Sequence, residues 1–207
     1  MGKNDINAVL KNPIIFFGTG RSGTTIISEM LFQHPDLAWP SNYQEKFPGV
    51  PAINILRRLS DNRYWRLIGK KKGLHGTAFY NKFLFKPGEN YQMWQYLVGD
   101  EIDFARGFLL DQKASPERQQ FIRRYFARMV TAQGRKRLAF KITGPPRMGF
   151  LLSIFPDAIF VHIKRDTVPT ISSLLKVDFW QTRGSVGLVL RVAQKKIGPE
   201  KTRTIRN

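Results

Sequence analysis

The stretch FFGTGRSGTT, residues 16–25, decides the fold of this chain. An apolar run over residues 14–17 leads into its glycines, and apolar residues at helical spacing follow over residues 26–31. This order predicts a strand, a glycine loop and a helix. Backbone N–H groups between Gly18 and Gly23 would face an anion at the positive end of that helix. The stretch therefore predicts a phosphate-binding turn, and the alternative is a tight turn without a ligand.

The cation of this loop is Arg21, which lies inside it. A nucleotide hydrolase would carry lysine directly after Gly23 to reach the terminal phosphates, followed by a hydroxyl that holds magnesium. Here Thr24 and Thr25 follow that glycine. The apolar run over residues 158–163 is followed by two basic residues and only then by an acid, which gives no clear magnesium carboxylate. A kinase or nucleotide hydrolase is disfavoured, and magnesium-dependent ATP binding would revive it.

Strand and helix patterns alternate along the rest of the chain. This alternation predicts an α/β fold with a central, mostly parallel sheet flanked by helices, a three-layer arrangement of the P-loop type. The segment 48–110 reads as a helical insertion. Further strands are expected at residues 37–39, 138–142 and 158–163, the last fully buried, and helices at 91–108, 115–134, 146–155 and 168–179.

Length and charge limit what the chain can be. Its 207 residues, 42% of them hydrophobic, suffice for one packed core, so we expect a single domain over residues 1–207. Lys+Arg number 34 and Asp+Glu 15, a formal net charge of +19. A surface with this charge attracts anions, and nucleic acid, sulfated or carboxylated glycans, polyphosphorylated nucleotides and anionic membranes all satisfy it.

Cysteine, histidine and hydropathy exclude several other classes. With no cysteine there is no disulfide framework and no thiolate metal site. The three histidines lie far apart without ligand-like spacing, so no metal centre is expected. The N-terminus has no apolar core of signal-peptide type, and no apolar run of about 18 residues occurs. We therefore expect no membrane span and a cytoplasmic location.

Two separated motifs resemble one enzyme family. Residues 18–25 look like the 5′-phosphosulfate loop of sulfotransferases that use 3′-phosphoadenosine 5′-phosphosulfate (PAPS), in the version with arginine where cytosolic members carry lysine. Residues 31–37 continue this likeness. Residues 155–173 are similar to the family's 3′-phosphate segment, in which a strand-end arginine and a serine eight positions later hold that phosphate. Arg165 and Ser173 keep this spacing.

The resemblance implies a donor, a reaction and a set of site residues. The donor is PAPS, the product is 3′-phosphoadenosine 5′-phosphate (PAP), no metal takes part, and a sulfuryl group passes in line to an acceptor hydroxyl. Residues 140–146 resemble the family's Lys-Thr-Pro stretch. The donor-binding residues implied are Gly20, Arg21, Ser22, Gly23, Thr24, Thr25, Arg165 and Ser173.

Three residues are candidates for the chemistry itself. Arg21 would stabilise the bridging oxygen, and Lys141 would neutralise the migrating group. Glu45 follows the second predicted strand, as the glutamate base of some family members does, and would take the acceptor proton. Plainer interpretations stay open: Glu45 as a surface residue paired with Lys46, Lys141 as a solvated strand residue, and Arg165 as an ion-pair partner of the adjacent acid.

The acceptor is the least determined part of the hypothesis. The resemblance implies a hydroxyl of a carbohydrate or small metabolite. Basic residues interleaved with aromatic ones over residues 57–72 suit an anionic carbohydrate, or form a solvated face. The segment 181–207 is shorter than the family's closing segment, so it is atypical or truncated. The rival functions are a non-catalytic binder of nucleotides or polyanions and, less favoured, a nucleic-acid binder with steep salt dependence. The sequence does not indicate an oligomeric state.

Overall fold

The structure is a computed structural model that describes residues 2–60, 85–100, 102–105, 107–144 and 147–176. The chain divides into two compact units. The larger unit comprises Met1–Thr19 and Gly23–Lys164, and the smaller comprises Gly20–Ser22 and Arg165–Asn207. Most of the predicted basic and aromatic acceptor segment, and the whole closing segment 181–207, lie outside the described residues.

A parallel four-stranded sheet is the centre of the larger unit. Its strands are β1 (Ile14–Gly18), β2 (Leu37–Ala38), β3 (Arg137–Thr143) and β4 (Ile159–His162), in the order β2-β3-β1-β4. Every pair is parallel. Because β1 and β3 run in register, Gly18 lies opposite Thr143 at the carboxyl end of the sheet. The predicted α/β fold with a parallel sheet is confirmed.

Helices connect these strands. In the larger unit they are α1 (Lys3–Val9), α2 (Thr24–Leu31), α3 (Arg57–Ser60), α4 (Tyr91–Val98), α5 (Pro116–Gln133) and α6 (Met148–Ile154), with 3₁₀ helices at Asn42–Glu45 and Pro51–Leu56. In the smaller unit α7 spans Thr167–Leu175. The helix predicted over 115–134 is confirmed as α5, because the Ser115 hydroxyl accepts the Arg118 N–H (3.3 Å) and Gly134 ends it with φ of +62°.

Side chains of the sheet pack into two apolar clusters, one on each face. Ile15 and Phe140 belong to a cluster that includes residues of α1, α5 and α6. Their neighbours Phe16 and Ala139 belong to the second cluster, which includes Phe32 at the end of α2. Successive strand residues point to opposite faces, so this division follows from the period of two. The sheet is thus covered by helices on both sides.

Two expectations about individual elements are wrong. The helix expected over 91–108 ends at Val98, because Gly99 adopts φ of +79° and leaves the helical path. The strand expected to be fully buried, β4, has Ile159 47% exposed. In the sheet as described, β4 pairs only with β1 and is the last strand, so one of its sides lacks a neighbouring strand. Apolar composition alone did not distinguish this position from a central one.

Candidate functional site

In the larger unit, the glycine loop ends where α2 begins. Gly23 precedes the first turn with φ of +93°, a left-handed conformation that favours glycine. A Cβ there would meet no atom within 4 Å, so backbone conformation and not crowding explains the residue. Thr24 is buried and Thr25 is exposed. The first N–H groups of a helix have no intrahelical acceptor, and this turn can therefore receive an anion.

Lys141 lies in the middle of β3 on the sheet face that α2 covers. Its side chain is 4% exposed, and its Nζ donates to the Thr25 hydroxyl at 2.9 Å. Burial lowers the pKa of Lys141, and the carboxylates of Glu89 and Glu29 oppose that effect. The expectation of a solvated strand lysine does not fit this burial. The structure brings Lys141 to the first turn of the helix that follows the loop.

Glu45 ends the 3₁₀ helix that follows β2. Its Oε2 accepts the backbone N–H of Gln92, in the first turn of α4, at 3.2 Å. Burial raises the pKa of Glu45, the hydrogen bond from Gln92 lowers it, and the nearby charge of Glu89 raises it. No ion pair with Lys46 is formed among the described residues. Glu45 therefore helps to cap α4 while its carboxyl group holds a proton more readily than an ordinary glutamate.

Sequence reasoning missed a polar cluster at the carboxyl end of β3. Thr143 donates its hydroxyl to Glu89 Oε2 at 2.6 Å, and its carbonyl oxygen accepts from the Tyr91 hydroxyl (2.7 Å) and from Arg147 Nη1 (3.1 Å). Burial, then the charge of Glu89, raises the pKa of Tyr91 to about 12. Burial lowers the pKa of Arg147. Glu89 lies in a sequence stretch without a motif, and only the fold brings it to this strand end.

The smaller unit holds the other predicted cations. Arg21 Nε donates to the Ser173 hydroxyl at 2.8 Å, and Arg165 Nη1 donates to the carbonyl oxygen of Arg21 at 3.2 Å. Arg21 has φ of +68°, an uncommon conformation for a residue with a side chain. The Ser22 hydroxyl is buried without a hydrogen-bond partner among the described residues. Gly20 lies close to Leu174 of α7, with 3.8 Å from a Cβ built on Gly20 to Leu174 Cδ2.

The first two arginines of the expected acceptor segment have structural contacts in the larger unit. Arg57 is 2% exposed, donates to the carbonyl oxygen of Leu37 (2.9 Å) and stacks over Trp39, with 4.0 Å between guanidinium and ring centre. Arg58 Nε donates to the carbonyl oxygen of Gln133. Arg57 is therefore buried in the packing of the larger unit and does not face an acceptor. Arg58 is exposed, and its part in acceptor binding stays a prediction.

A cavity of about 200 Å³ opens at the carboxyl ends of the strands in the larger unit. Phe17 lines it from β1, Thr143 from β3 and His162 from β4, and Thr19 and Arg147 line it from the loops that follow β1 and β3. A cavity of about 580 Å³ lies at the opposite, amino ends, lined by Ile14 and Arg137 among others. Neither cavity is lined by any of the predicted site residues, so cavity size does not identify the functional edge.

Two classes of feature are not found in the part of the chain that the structure describes. No three residues among histidine and the acids gather as a metal site there. None of the helices described is both long and apolar enough to span a bilayer.

Comparison with known proteins completes the site's context. A family model described as the sulfotransferase family matches residues 13–196. Sulfotransferase STF9 from Mycobacterium avium is similar in structure, with 19% identity, a TM-score of 0.47, and coverage of 95% of this chain and 59% of that one. Sulfotransferase STF1 from Mycobacterium tuberculosis H37Rv is similar with 16% identity, a TM-score of 0.47, and coverage of 83% and 49%.

No curated protein matches the chain. The chain spans about half to three fifths of the length of the two solved structures. The family model nevertheless covers most of the sequence, including the glycine loop and the segment that contains Arg165 and Ser173. The chain belongs to the sulfotransferase family.

Proposed function

We propose that the chain transfers a sulfuryl group from PAPS to a hydroxyl of a carbohydrate or small metabolite, in line, with a carboxylate base and without a metal. Family membership carries the reaction class. The proposal also includes the donor, the acceptor class, the catalytic roles of individual residues and a cytoplasmic location. An anionic carbohydrate acceptor agrees with the formal net charge of +19.

One observation carries the proposal furthest. The two motifs that resemble the family's phosphate segments are about 150 residues apart in sequence, yet Arg21 donates to Ser173 and Arg165 donates to the Arg21 carbonyl oxygen. A phosphate needs several converging donors, and arginine with a hydroxyl is a strong combination for it. Contacts between these three residues support their assignment to the donor nucleotide.

The loop itself fits an anionic donor in two further ways. The Ser22 hydroxyl is buried and has no hydrogen-bond partner among the described residues, which is costly unless a ligand supplies one. Arg21 retains a left-handed backbone conformation, and strain of this kind is concentrated at binding sites. PAPS would supply the transferable sulfuryl group, and Gly20, Ser22, Gly23, Thr24 and Thr25 would bind its 5′-phosphosulfate.

The larger unit supplies residues for the transfer. Glu45 would accept the acceptor's hydroxyl proton as that oxygen bonds to sulfur, and the bond from sulfur to the departing phosphate oxygen breaks. A raised pKa suits a group that must receive a proton. Lys141, buried and bound to Thr25, would stabilise negative charge on the migrating group. Arg21 would stabilise the departing phosphate.

The test is a calorimetric titration of the chain with PAP, AMP and ATP plus magnesium at two salt concentrations. We expect PAP to bind much more tightly than AMP, and the preference to persist at the higher salt. Equal, weak binding of all three that disappears in salt would contradict the proposal and indicate a general polyanion binder. Magnesium-dependent preference for ATP would return the chain to the kinase and hydrolase class.

A further inference from the structure

Glu89 lies at the carboxyl end of β3. It lies two residues before the first turn of α4, and its Oε2 accepts the Thr143 hydroxyl at 2.6 Å. The Tyr91 hydroxyl lies 3.3 Å from the same Thr143 oxygen and donates to the Thr143 carbonyl at 2.7 Å. The short contact and the paired tyrosine hold the carboxylate against the strand end.

Hydrogen bonds place Glu89 near both residues proposed for the transfer chemistry. Thr143, which donates to Glu89, and Lys141 are two residues apart on β3 and point to the same face of the sheet. Glu45 accepts the backbone N–H of Gln92, three residues after Glu89.

The charge of Glu89 therefore acts on both residues. It raises the pKa of Glu45, where the other influences are burial and the hydrogen bond from Gln92. It also raises the pKa of Lys141, where burial acts in the opposite direction and Glu29 acts in the same one. Of the charged groups that influence these two residues, Glu89 is shared by both.

A carboxylate in this position addresses a physical difficulty. An ammonium group that is 4% exposed loses most of its hydration, which lowers its pKa, and nearby negative charge opposes that effect. The same negative charge makes a neighbouring carboxylate a better proton acceptor. One glutamate can thus favour the charged form of a buried lysine and also raise the pKa of a neighbouring carboxylate base.

We propose that Glu89 is a positioning residue for the transfer reaction: its carboxylate is bound to the end of β3 through Thr143 and is the shared electrostatic partner of Glu45 and Lys141. This inference rests on the proposed function, because that proposal assigns the base and the cation their catalytic parts. Glu89 itself touches neither donor nor acceptor in this scheme.

The test is Glu89→Gln, which removes the charge and keeps an oxygen that can accept from Thr143. Carbon-13 labelled side chains report the titration midpoints of Glu45 and Lys141 by NMR, with Glu45→Gln and Lys141→Met used for assignment. We expect both midpoints to move to lower pH, each on the order of 0.5–1 unit. If transfer activity is measured, both limbs of its pH profile should move in the same direction.

Glu29→Gln is the matched control. Glu29 influences Lys141 but is absent from the causes that act on Glu45. This variant should lower the Lys141 midpoint and leave the Glu45 midpoint in place. Thr143→Val is a second route if Glu89→Gln folds poorly. It keeps the charge and removes the hydrogen bond, so both midpoints should move in the same direction by a smaller amount.

The outcomes separate this inference from the proposed function. Unchanged midpoints in Glu89→Gln would overturn the part given to Glu89, whether or not the chain binds PAP. Shifted midpoints in a chain that fails to bind PAP would instead overturn the proposed function and leave the electrostatic coupling standing. If both midpoints shift but the pH profile of transfer activity stays that of the wild type, only the role of Glu89 as a positioning residue would be overturned.

Discussion

Lys141 and Arg21 are both proposed to act on the transferred group, yet the structure holds them in opposite ways. Lys141 lies inside the larger unit on a central strand, 4% exposed, with its Nζ on Thr25. Arg21 lies in the smaller unit, exposed, in a left-handed conformation, with its Nε on Ser173. One cation is held by the core and the other by hydrogen bonds at the surface.

The difference indicates how each cation depends on the rest of the molecule. A buried ammonium group needs compensating carboxylates, here Glu89 and Glu29, and the sheet determines its position. An exposed guanidinium keeps its hydration, and its position depends on local backbone geometry. Substitutions of Lys141 should therefore act through charge and chemistry, whereas substitutions of Arg21 should also report backbone strain.

The largest effect is expected at the buried cation. Lys141→Met should lower PAP release from PAPS by about 10²–10³-fold, assayed with the best acceptor from a panel of sugars and phenols. PAP affinity should change little because PAP lacks the sulfuryl group. Thermal stability of the variant is measured in parallel, so that a loss of folding is distinguished from a loss of chemistry. Lys136→Met, an exposed lysine just before β3, is the control and should retain activity. Release of PAP at the wild-type rate by Lys141→Met would refute the proposed role of Lys141.

Arg165 and Ser173 in the smaller unit should control nucleotide selectivity. The double variant Arg165→Ala, Ser173→Ala should weaken PAP binding by about 10²-fold and AMP binding by less than about threefold, since only PAP has a 3′-phosphate. Calorimetry measures both. Lys176→Ala, which removes a charge at the end of the same helix, should leave the PAP preference intact. Equal losses for PAP and AMP would count against this assignment.

Backbone strain at Arg21 should have a smaller effect, which is on the free energy of unfolding, and Lys141 offers no equivalent test. Arg21→Gly and Arg21→Ala lose the same guanidinium, but only glycine tolerates φ of +68° without strain. After allowance for the greater freedom of glycine in the unfolded chain, we expect the glycine variant to be more stable by about 0.5–1 kcal/mol in denaturant unfolding. PAP affinity should fall equally in both. A more stable alanine variant would show that the loop is not strained.

The smallest effect on stability is expected at Glu45. Its pKa is raised in the folded state above the unfolded value, so the folded state binds more protons and stability falls as pH rises through that interval. Glu45→Gln keeps an acceptor for the Gln92 N–H and removes the titration. Melting temperatures of this variant and the wild type should coincide at acidic pH and diverge slightly, in favour of the variant, toward neutral pH. A constant difference at every pH would indicate a structural cause instead.

The loop and the α5 boundaries were predictable because their signals are local. Glycines before an apolar helix, and a serine followed by proline, determine backbone geometry within a few residues. The exposed edge of β4 and the early end of α4 were not predictable in this way. The first depends on which strands pair, and the second on one glycine whose conformation the helical pattern did not reveal.

The site shows the same division. Arg165 and Ser173 could be selected because they keep the spacing of the family's 3′-phosphate segment, which this part of the sequence resembles. The location of Glu89 beside Thr143 could not, because 54 residues separate them and no motif marks Glu89. The burial of Arg57 was not predictable for a related reason: a run of basic residues has the same composition whether it faces solvent or is buried against backbone carbonyl oxygens.

By itself the sequence determined the parallel α/β fold, because hydrophobic periodicity encodes local backbone geometry, and its two separated motifs carried the resemblance to the family. Only the tertiary structure decided that Lys141 is buried against Thr25, that Glu45 caps a helix, and that Glu89 influences both residues. Burial and charge coupling act through space, over distances set by strand pairing and helix packing, and residues remote in sequence become neighbours only when the core has formed.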